Sequence, residues 1–281
     1  MRWLLVKRDE SALLSGKYIS PRIIDDQYVF YRLHQFSADL WAGELQNATM
    51  ETMPHLVLLG DSIFDNGVYT SGGPDVVSQA RKLLPSGWEA SLLAVDGATT
   101  DNIADQVTRL PDGATHLVLS VGGNNALTEA SKLGISFFAD PRTTRAIALE
   151  SLADISDDFE RRYRSAVAAC LRPGLPLSVC TIYNGCFPDK VYQRMASVAL
   201  AVFNDAILRV AIERGLPVID LRLVCQDPKD YANPIEPSSV GGEKIARIIV
   251  ALVTGSKDGV PSTRILPGPG FSKSKTSGED K

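Results

Sequence analysis

The stretch Leu56-Val-Leu-Leu59-Gly60-Asp61-Ser62 decides the fold of this chain. Its run of four apolar residues is typical of a strand that is buried on both faces, as in a parallel sheet. Gly60 permits a tight turn after the strand, and Ser62 is then expected to lie exposed at the amino end of the next helix. The stretch therefore predicts an α/β fold with a position suited to a nucleophile at the end of a strand.

The rest of the chain repeats this pattern of apolar runs and helical segments. Further strands are predicted over 90–95, 116–121, 177–181 and 216–219, and helices over 74–84, 100–109, 148–171, 191–214 and 239–253. Strands that alternate with helices predict a doubly wound α/β domain, here assigned to residues 54–253. Residues 1–53 are interpreted as an N-terminal extension that packs on the domain or caps its sheet. Residues 254–281 are rich in Gly, Ser, Pro and Lys, and they are predicted to be a disordered C-terminal tail.

Composition and charge exclude several classes of function. With 281 residues, 44% of them hydrophobic, the chain is long enough to bury one substantial core. A net charge of -4 and a pI of about 5.5 argue against a nucleic-acid partner. The apolar run at residues 3–6 is too short for a signal-peptide core or a membrane span, so a cytoplasmic protein is expected. The four cysteines and three histidines lack the spacing of a zinc site or a disulfide framework, and neither a metal nor a cofactor is predicted.

Two further predicted strand ends carry residues that suit the chemistry of a serine nucleophile. After the second strand of the domain, Gly97 can bring its backbone N–H close to a bound oxygen. After the third comes Gly122-Gly123-Asn124-Asn125, in which the Asn124 amide can donate to developing negative charge. Because ligands of open α/β sheets bind outside the carboxyl ends of the strands, Ser62, Gly97 and Asn124 are expected at one site.

These three blocks, in this order, resemble the SGNH or GDSL-type hydrolases, a family of esterases, lipases, thioesterases and carbohydrate deacetylases. The resemblance covers residues 55–253 and implies a flavodoxin-like three-layer sandwich with a central five-stranded parallel sheet. It implies that Ser62 is the nucleophile, and that Gly97, Asn124 and the N–H of Ser62 form the oxyanion hole. The third block departs from the family pattern, because Asn125 stands where an aspartate is usual.

The fourth block of the family is where this chain differs most. The resemblance leads us to expect Asp-x-x-His before the last helix, with the histidine as general base and the aspartate as its orienting partner. Here the segment is Asn233-Pro-Ile-Glu236. Alignment on the helix that follows puts Glu236 on the histidine and Asn233 on the aspartate.

None of the three histidines is a good substitute for that base. His55 and His116 precede Ser62 and Asn124 by seven and eight residues at the starts of strands, so each should be roughly 20 Å from the site. His34 lies in the N-terminal extension and is a third candidate if that segment folds over the site.

Glu236 itself is therefore considered as the base. A free glutamate has a pKa of about 4.3, which is too low for an efficient base at neutral pH. Burial beside Pro234, Ile235 and Pro237 would raise the pKa, whereas an amide hydrogen bond from Asn233 would lower it. The alternative interpretation of Glu236 is a solvated loop residue in front of a helix.

Two functions remain open on the sequence. The first is a hydrolase of small-molecule ester or acyl substrates with Ser62 as nucleophile and Glu236 as base. The second is a catalytically inactive SGNH-fold protein that acts as a binding module. Substrate preference is expected to lie in the variable loops at 132–146 and 183–190.

Overall fold

The fold is described from a computed structural model. It describes residues 53–136 and 144–256, residues 262, 263 and 265, and three strands of the N-terminal segment. Side chains are described from residue 53 to 129 and from residue 150 onward within these ranges. His34 and most of the predicted disordered tail lie outside the described residues.

A five-stranded parallel sheet forms the centre of the domain, and it confirms the predicted fold class. Its strands are β4 (His55–Gly60), β5 (Glu89–Leu92), β6 (His116–Ser120), β7 (Leu177–Cys180) and β8 (Val218–Ile219). They lie side by side in the order β5-β4-β6-β7-β8, and every neighbouring pair is parallel. This is the strand order of flavodoxin-like folds, in which the direction of winding changes between β4 and β6.

Helices cover both faces of the sheet. They are α1 (Val76–Leu83), α2 (Ile103–Val107), α3 (Gly123–Ser136), α4 (Thr144–Leu171), α5 (Lys190–Arg214), α6 (Leu221–Val224) and α7 (Ser239–Val253). Alternate residues of β4 point to opposite faces: Leu56 and Leu58 pack with α1 and α7, whereas Val57 and Leu59 pack with α4 and α5. The result is a three-layer sandwich with one apolar core on each side of the sheet.

The N-terminal segment contains a second, smaller sheet. Strands β1 (Trp3–Lys7), β2 (Arg22–Ile23) and β3 (Tyr28–Arg32) pair antiparallel in the order β1-β3-β2. The aromatic residues Tyr28, Phe30 and Tyr31 belong to β3, at the centre of this sheet.

Several observed elements differ from the predicted ones, and the short helix α6 is among those that were not predicted. The strand predicted over 90–95 ends at Leu92, because the chain then turns toward a loop in which Leu93 N–H and Ala94 N–H both donate to Leu58 O. Helix α3 was not predicted at all. It begins at Gly123, and glycine and asparagine in its first turn give little helical signal.

Helix α5 is long and apolar enough, by length and composition, to cross a membrane. Its second half, however, packs Phe203, Ile207 and Val210 into the core, as a core helix of a globular domain does. The absence of a membrane span, inferred from residues 3–6, stays a prediction.

Gly60 ends β4 in a conformation that only glycine tolerates there. Its φ is +131°, and a Cβ atom at this position would lie 1.8 Å from the carbonyl oxygen of Ser120 in β6. The side chain of Gln106 satisfies both backbone groups of Gly60: its Oε1 accepts the N–H and its Nε2 donates to the carbonyl, each at 2.8 Å. The end of β4 is thus held against β6 and α2 two residues before Ser62.

We expect Gly60→Ala to lower the free energy of unfolding by at least about 3 kcal/mol, because both the φ angle and the contact with Ser120 oppose a side chain. Gly87→Ala is the matched control: its φ of +92° is also positive, but its Cβ would meet open space. The control should cost only about 1 to 2 kcal/mol. Equal losses for the two variants in urea unfolding would contradict the role given to the close approach.

Candidate active site

The candidate site lies at the carboxyl ends of β4 and β6, where the winding of the sheet changes direction. Ser62 follows β4 and Asn124 follows β6, and both line one cavity of about 670 Å³ together with Glu236. A crevice at this point is where ligands of open α/β sheets bind. Two of the three sequence blocks and the fourth block therefore meet at one place.

The loop that carries Ser62 is fixed to the neighbouring strand. The N–H of Asp61 donates to Ser120 O at 3.1 Å, and Asp61 Oδ1 accepts the N–H of Ile63 at 3.2 Å. The backbone carbonyl of Asp61 accepts two further N–H groups, from Phe64 and Asp65, each at 3.1 Å. Ser62 itself is only 6% exposed, and its side chain is at the cavity wall.

Glu236 is the acidic residue next to Ser62. Its side chain is buried, with the whole residue 7% exposed, which excludes the solvated loop position considered from the sequence. Burial raises the pKa of Glu236 to about 7, a hydrogen bond with the Ser62 side chain lowers it, and the negative charge of Asp96 raises it. Its Oε2 atom has no hydrogen-bond partner among the described residues and is free to accept a proton.

Asp61 is a second buried carboxyl at the same site. Burial raises the pKa of Asp61 to about 7, the N–H of Ile63 opposes this, and the negative charge of Glu236 adds to it. Because the two carboxyl groups repel each other when both are ionised, their protons are released as those of a pair rather than of independent groups. Asp61 was not among the site residues predicted from the sequence.

Asn233 acts on the backbone of the Glu236 loop. Its Oδ1 accepts the N–H groups of Ile235 and Glu236, both at 2.9 Å, and the N–H of Ala232 donates to Glu236 O at 2.9 Å. Asn233 is exposed and is not among the residues that line the cavity. Within the described residues its amide forms no hydrogen bond to the Glu236 carboxylate, so Asn233 does not lower the pKa of Glu236 through such a contact.

Two distant side chains hold the carbonyl groups on either side of Glu236. Asn66 donates from Nδ2 to Pro237 O at 3.2 Å, and the hydroxyl of Tyr183 donates to Ile235 O at 2.5 Å. Asn66 belongs to the serine loop, and it is fully buried. The loop of the nucleophile and the loop of Glu236 are therefore joined by a direct hydrogen bond.

The predicted oxyanion donors differ in how they relate to the cavity. Asn124 lines it, and one N–H of its amide donates to Ala98 O at 2.9 Å, which leaves the other available. Gly97 has φ +78° and does not line the cavity, although the Asn124 bond holds its loop beside α3. Within the described residues the N–H groups of Ser62 and Gly97 donate to no protein group. Three donors without full partners thus lie on neighbouring strand ends.

The Asn125 side chain joins α3 to the connection between Gly97 and α2 by two hydrogen bonds. Its Oδ1 accepts the N–H of Thr100 and its Nδ2 donates to the Thr100 hydroxyl, each at 3.1 Å. This pair of bonds fastens the start of the Gly97-to-α2 connection to α3.

The two described histidines lie at the end of the sheet opposite to Ser62, as predicted. His55 and His116 are the first residues of β4 and β6. Their ring nitrogens contact Ser91 Oγ at 2.8 Å and Thr115 Oγ1 at 2.9 Å, and burial lowers the pKa of both. Among the described residues there is also no cluster of three or more His, Cys, Asp and Glu side chains that could hold a metal.

Sequence patterns alone did not reveal three of the residues that build this site. Gln106, Asn66 and Tyr183 act on backbone groups 46, 171 and 52 residues away. Asn66 and Tyr183 lie in loops and Gln106 lies in the short helix α2, and their long-range contacts with backbone groups leave no pattern in the sequence.

Comparisons with known proteins agree with this architecture. A family model described as GDSL-like lipase/acylhydrolase matches residues 58–241. A solved structure of a member of the lipolytic G-D-S-L family from Veillonella parvula is 15% identical, with 73% of this chain and 99% of that chain covered and a TM-score of 0.50. An acetyl xylan esterase is 16% identical, with 71% and 99% covered and a TM-score of 0.50. At these identities the likeness to the two structures concerns the fold. No curated protein matches the chain.

Glu236→Gln is expected to stabilise the protein above pH 7. The folded state holds the Glu236 proton more tightly than the unfolded state, so the free energy of unfolding falls as pH rises from about 4.5 to about 7. A neutral isostere removes this loss, and we expect a gain of about 1 to 3 kcal/mol at pH 8 and none at pH 4. Denaturant unfolding at both values measures it, and exposed Glu243→Gln is the matched control. A gain that is independent of pH would contradict the burial of an ionisable Glu236.

Asn233→Asp is expected to retain the Glu236 loop, because a carboxylate oxygen can accept the same two N–H groups. Asn233→Ala removes the acceptor and should cost about 1 kcal/mol of stability. If Asn233→Asp is as destabilising as Asn233→Ala in thermal unfolding, the hydrogen bonds to the loop backbone are not what Asn233 contributes.

Proposed function

The chain belongs to the GDSL-like lipase/acylhydrolase family, and on that premise we propose that it hydrolyses ester or acyl bonds with Ser62 as nucleophile and Glu236 as general base. Hydrolase activity on ester-type substrates follows from the family. The glutamate base is specific to this chain, since the resemblance implies a histidine at that position.

One observation carries the proposal. The Glu236 carboxyl is buried in the cavity that Ser62 lines, it interacts with the Ser62 side chain, and its pKa is raised to about 7. A general base works best when its pKa is close to the working pH, and burial is the usual means by which a carboxyl reaches that value. The unpartnered Oε2 supports the same role, because a proton acceptor needs a free lone pair.

In the first half of the reaction, Ser62 Oγ attacks the substrate carbonyl carbon while its proton passes to the Glu236 carboxylate. The negative charge that develops on the carbonyl oxygen is stabilised by the N–H groups of Ser62 and Gly97 and by the Asn124 amide. Collapse of the tetrahedral intermediate expels the alcohol, which takes the proton from Glu236. An acyl group remains covalently attached to Ser62.

In the second half, Glu236 accepts a proton from water as the water oxygen attacks the acyl carbonyl. The same three donors stabilise the second tetrahedral intermediate. Its collapse releases the carboxylic acid, and the proton on Glu236 returns to Ser62 Oγ. Asp61 remains beside the pair, and the charge of ionised Glu236 favours the protonated form of Asp61.

The nucleophile and the base are tested with short-chain p-nitrophenyl esters and a fluorophosphonate probe. Ser62→Ala should abolish labelling and turnover, and Glu236→Gln should lower kcat about 10²- to 10⁴-fold. Glu243→Gln, an exposed glutamate on α7 paired with Arg247, is the control and should keep wild-type rates. No labelling of wild-type Ser62 at any pH between 4 and 9 would overturn the proposal and favour the binding module.

The pH dependence follows from the protonation state of the base. Only ionised Glu236 can accept the Ser62 proton, so kcat/KM should rise with pH through an apparent pKa of about 7 and fall away in acid. Asp96→Asn removes the negative charge that raises the pKa of Glu236 and should move this apparent pKa to a lower pH. A profile that is flat from pH 5 to 8 would show that Glu236 is not the base.

A further inference from the structure

The cavity beside Ser62 is much larger and less polar than the reaction itself requires. It has a volume of about 670 Å³ and extends from the strand ends to α5. Its wall is made mainly of apolar side chains, among them Leu127, Ile182, Phe187, Met195, Leu200 and Ile235. Polar groups are concentrated at the Ser62 end, and Asn184 and Arg194 are the exceptions along the wall. A cavity of this kind holds a hydrocarbon group next to the reactive atoms.

The segment between β7 and α5 forms one wall, and side chains of α5 fasten it. Asn204 accepts the N–H of Ile182 at 2.7 Å and donates to Ile182 O at 2.8 Å. Gln193 likewise accepts the N–H of Phe187 at 2.7 Å and donates to Asn184 O at 2.9 Å. The wall is therefore preformed, which lowers the ordering cost of binding a ligand.

The mouth of the cavity is apolar as well. Val191, Met195 and Val198 line the cavity and are 68%, 51% and 69% exposed, on the first half of α5. Exposed apolar side chains that adjoin one another are unfavourable in water unless a ligand or partner covers them. Here they continue directly into the cavity that ends at Ser62.

A group of polar residues near Glu236 does not line the cavity. The negative charge of Asp96 acts on the Glu236 carboxyl. Asp96 is exposed, its Oδ2 accepts a hydrogen bond from the Tyr69 hydroxyl, and its backbone N–H donates to Asp65 Oδ2. Because these polar groups lie outside the apolar cavity, water and a departing alcohol are better accommodated beside them. The acyl group, which stays attached to Ser62, is left with the apolar side toward α5.

We propose that the cavity between the β7–α5 segment and the first half of α5 is a subsite for the hydrocarbon chain of the acyl group, so that the substrates are esters of medium-chain or long-chain acids. This assignment rests on the proposed hydrolase function. Each methylene that leaves water contributes about 0.8 kcal/mol, equivalent to about 4-fold in kcat/KM when it is buried fully in the transition state.

The test compares p-nitrophenyl acetate with p-nitrophenyl octanoate, which carries six more methylenes. We expect kcat/KM to be at least about 10-fold higher for the octanoate. Ala199→Phe places a ring in the cavity wall and should lower the octanoate-to-acetate ratio at least about 10-fold. Ala201→Phe makes the same change at an exposed position of α5 outside the cavity and should leave the ratio unchanged. Equal ratios for wild type and Ala199→Phe would overturn the proposal, and so would a preference that follows chain length in alkyl acetates instead.

The source of the chain and the role of catalysis are separated by two further measurements. In the first measurement, fatty-acid release is compared between phosphatidylcholine vesicles and dissolved p-nitrophenyl octanoate. Release of fatty acid from the vesicles supports a lipid substrate, and release from the dissolved ester alone supports a soluble substrate. Release from neither would overturn the proposal. Binding of a fluorescent fatty acid to Ser62→Ala, and its loss in Ser62→Ala/Ala199→Phe, tests the subsite without turnover. Fatty-acid binding without labelling of Ser62 would contradict the proposed hydrolase function but support the subsite. Labelling of Ser62 without fatty-acid binding would support the hydrolase function but contradict the subsite.

Discussion

The close approach of two strand ends, at Gly60 of β4 and Ser120 of β6, is the constraint on which the rest of the structure depends. The space between them admits no side chain. The bond from Asp61 N–H to Ser120 O then directs the chain across the crevice where the winding of the sheet reverses. Ser62 reaches the cavity because of this crossing, and Asn124 reaches it because α3 starts three residues after Ser120.

Two buried carboxyl groups are then brought to a place where ionisation is unfavourable. Asp61 and Glu236 are removed from water, and the negative charge of Glu236 further opposes the ionisation of Asp61. The unfavourable free energy of burying them is partly offset by the N–H of Ile63, which donates to Asp61, and by the hydrogen bond from Asn66 that joins the two loops. Burial of these carboxyl groups thus lowers the stability of the domain, but it keeps a carboxyl in the pKa range where proton transfer at neutral pH is efficient.

Much of this architecture could be predicted from local sequence. Strand β4 was evident because four consecutive apolar residues must be covered on both faces, and the parallel order of strands followed from the alternation with helices. Ser62 and Asn124 were candidates because each follows a predicted strand, whereas Glu236 was a candidate because the resemblance to the SGNH hydrolases puts it on the histidine of the fourth block. The anchors Gln106 and Tyr183 were not, because their partners are backbone groups that no side-chain pattern records. The burial of Glu236 was likewise undecided, since it depends on the packing of loops far apart in the chain.

Helix α5 divides into two halves with different surroundings. From Phe203 onward it is part of the core against the sheet, whereas residues 190–200 border the cavity and solvent. Val191, Met195 and Val198 in the first half are exposed and belong to neither apolar core, so changes at these positions alter the mouth of the cavity without altering the packing of the strand ends. Such a helix lets the shape of the binding region evolve separately from the chemistry, and a family with one reaction can diversify its substrates by altering three turns of a single helix.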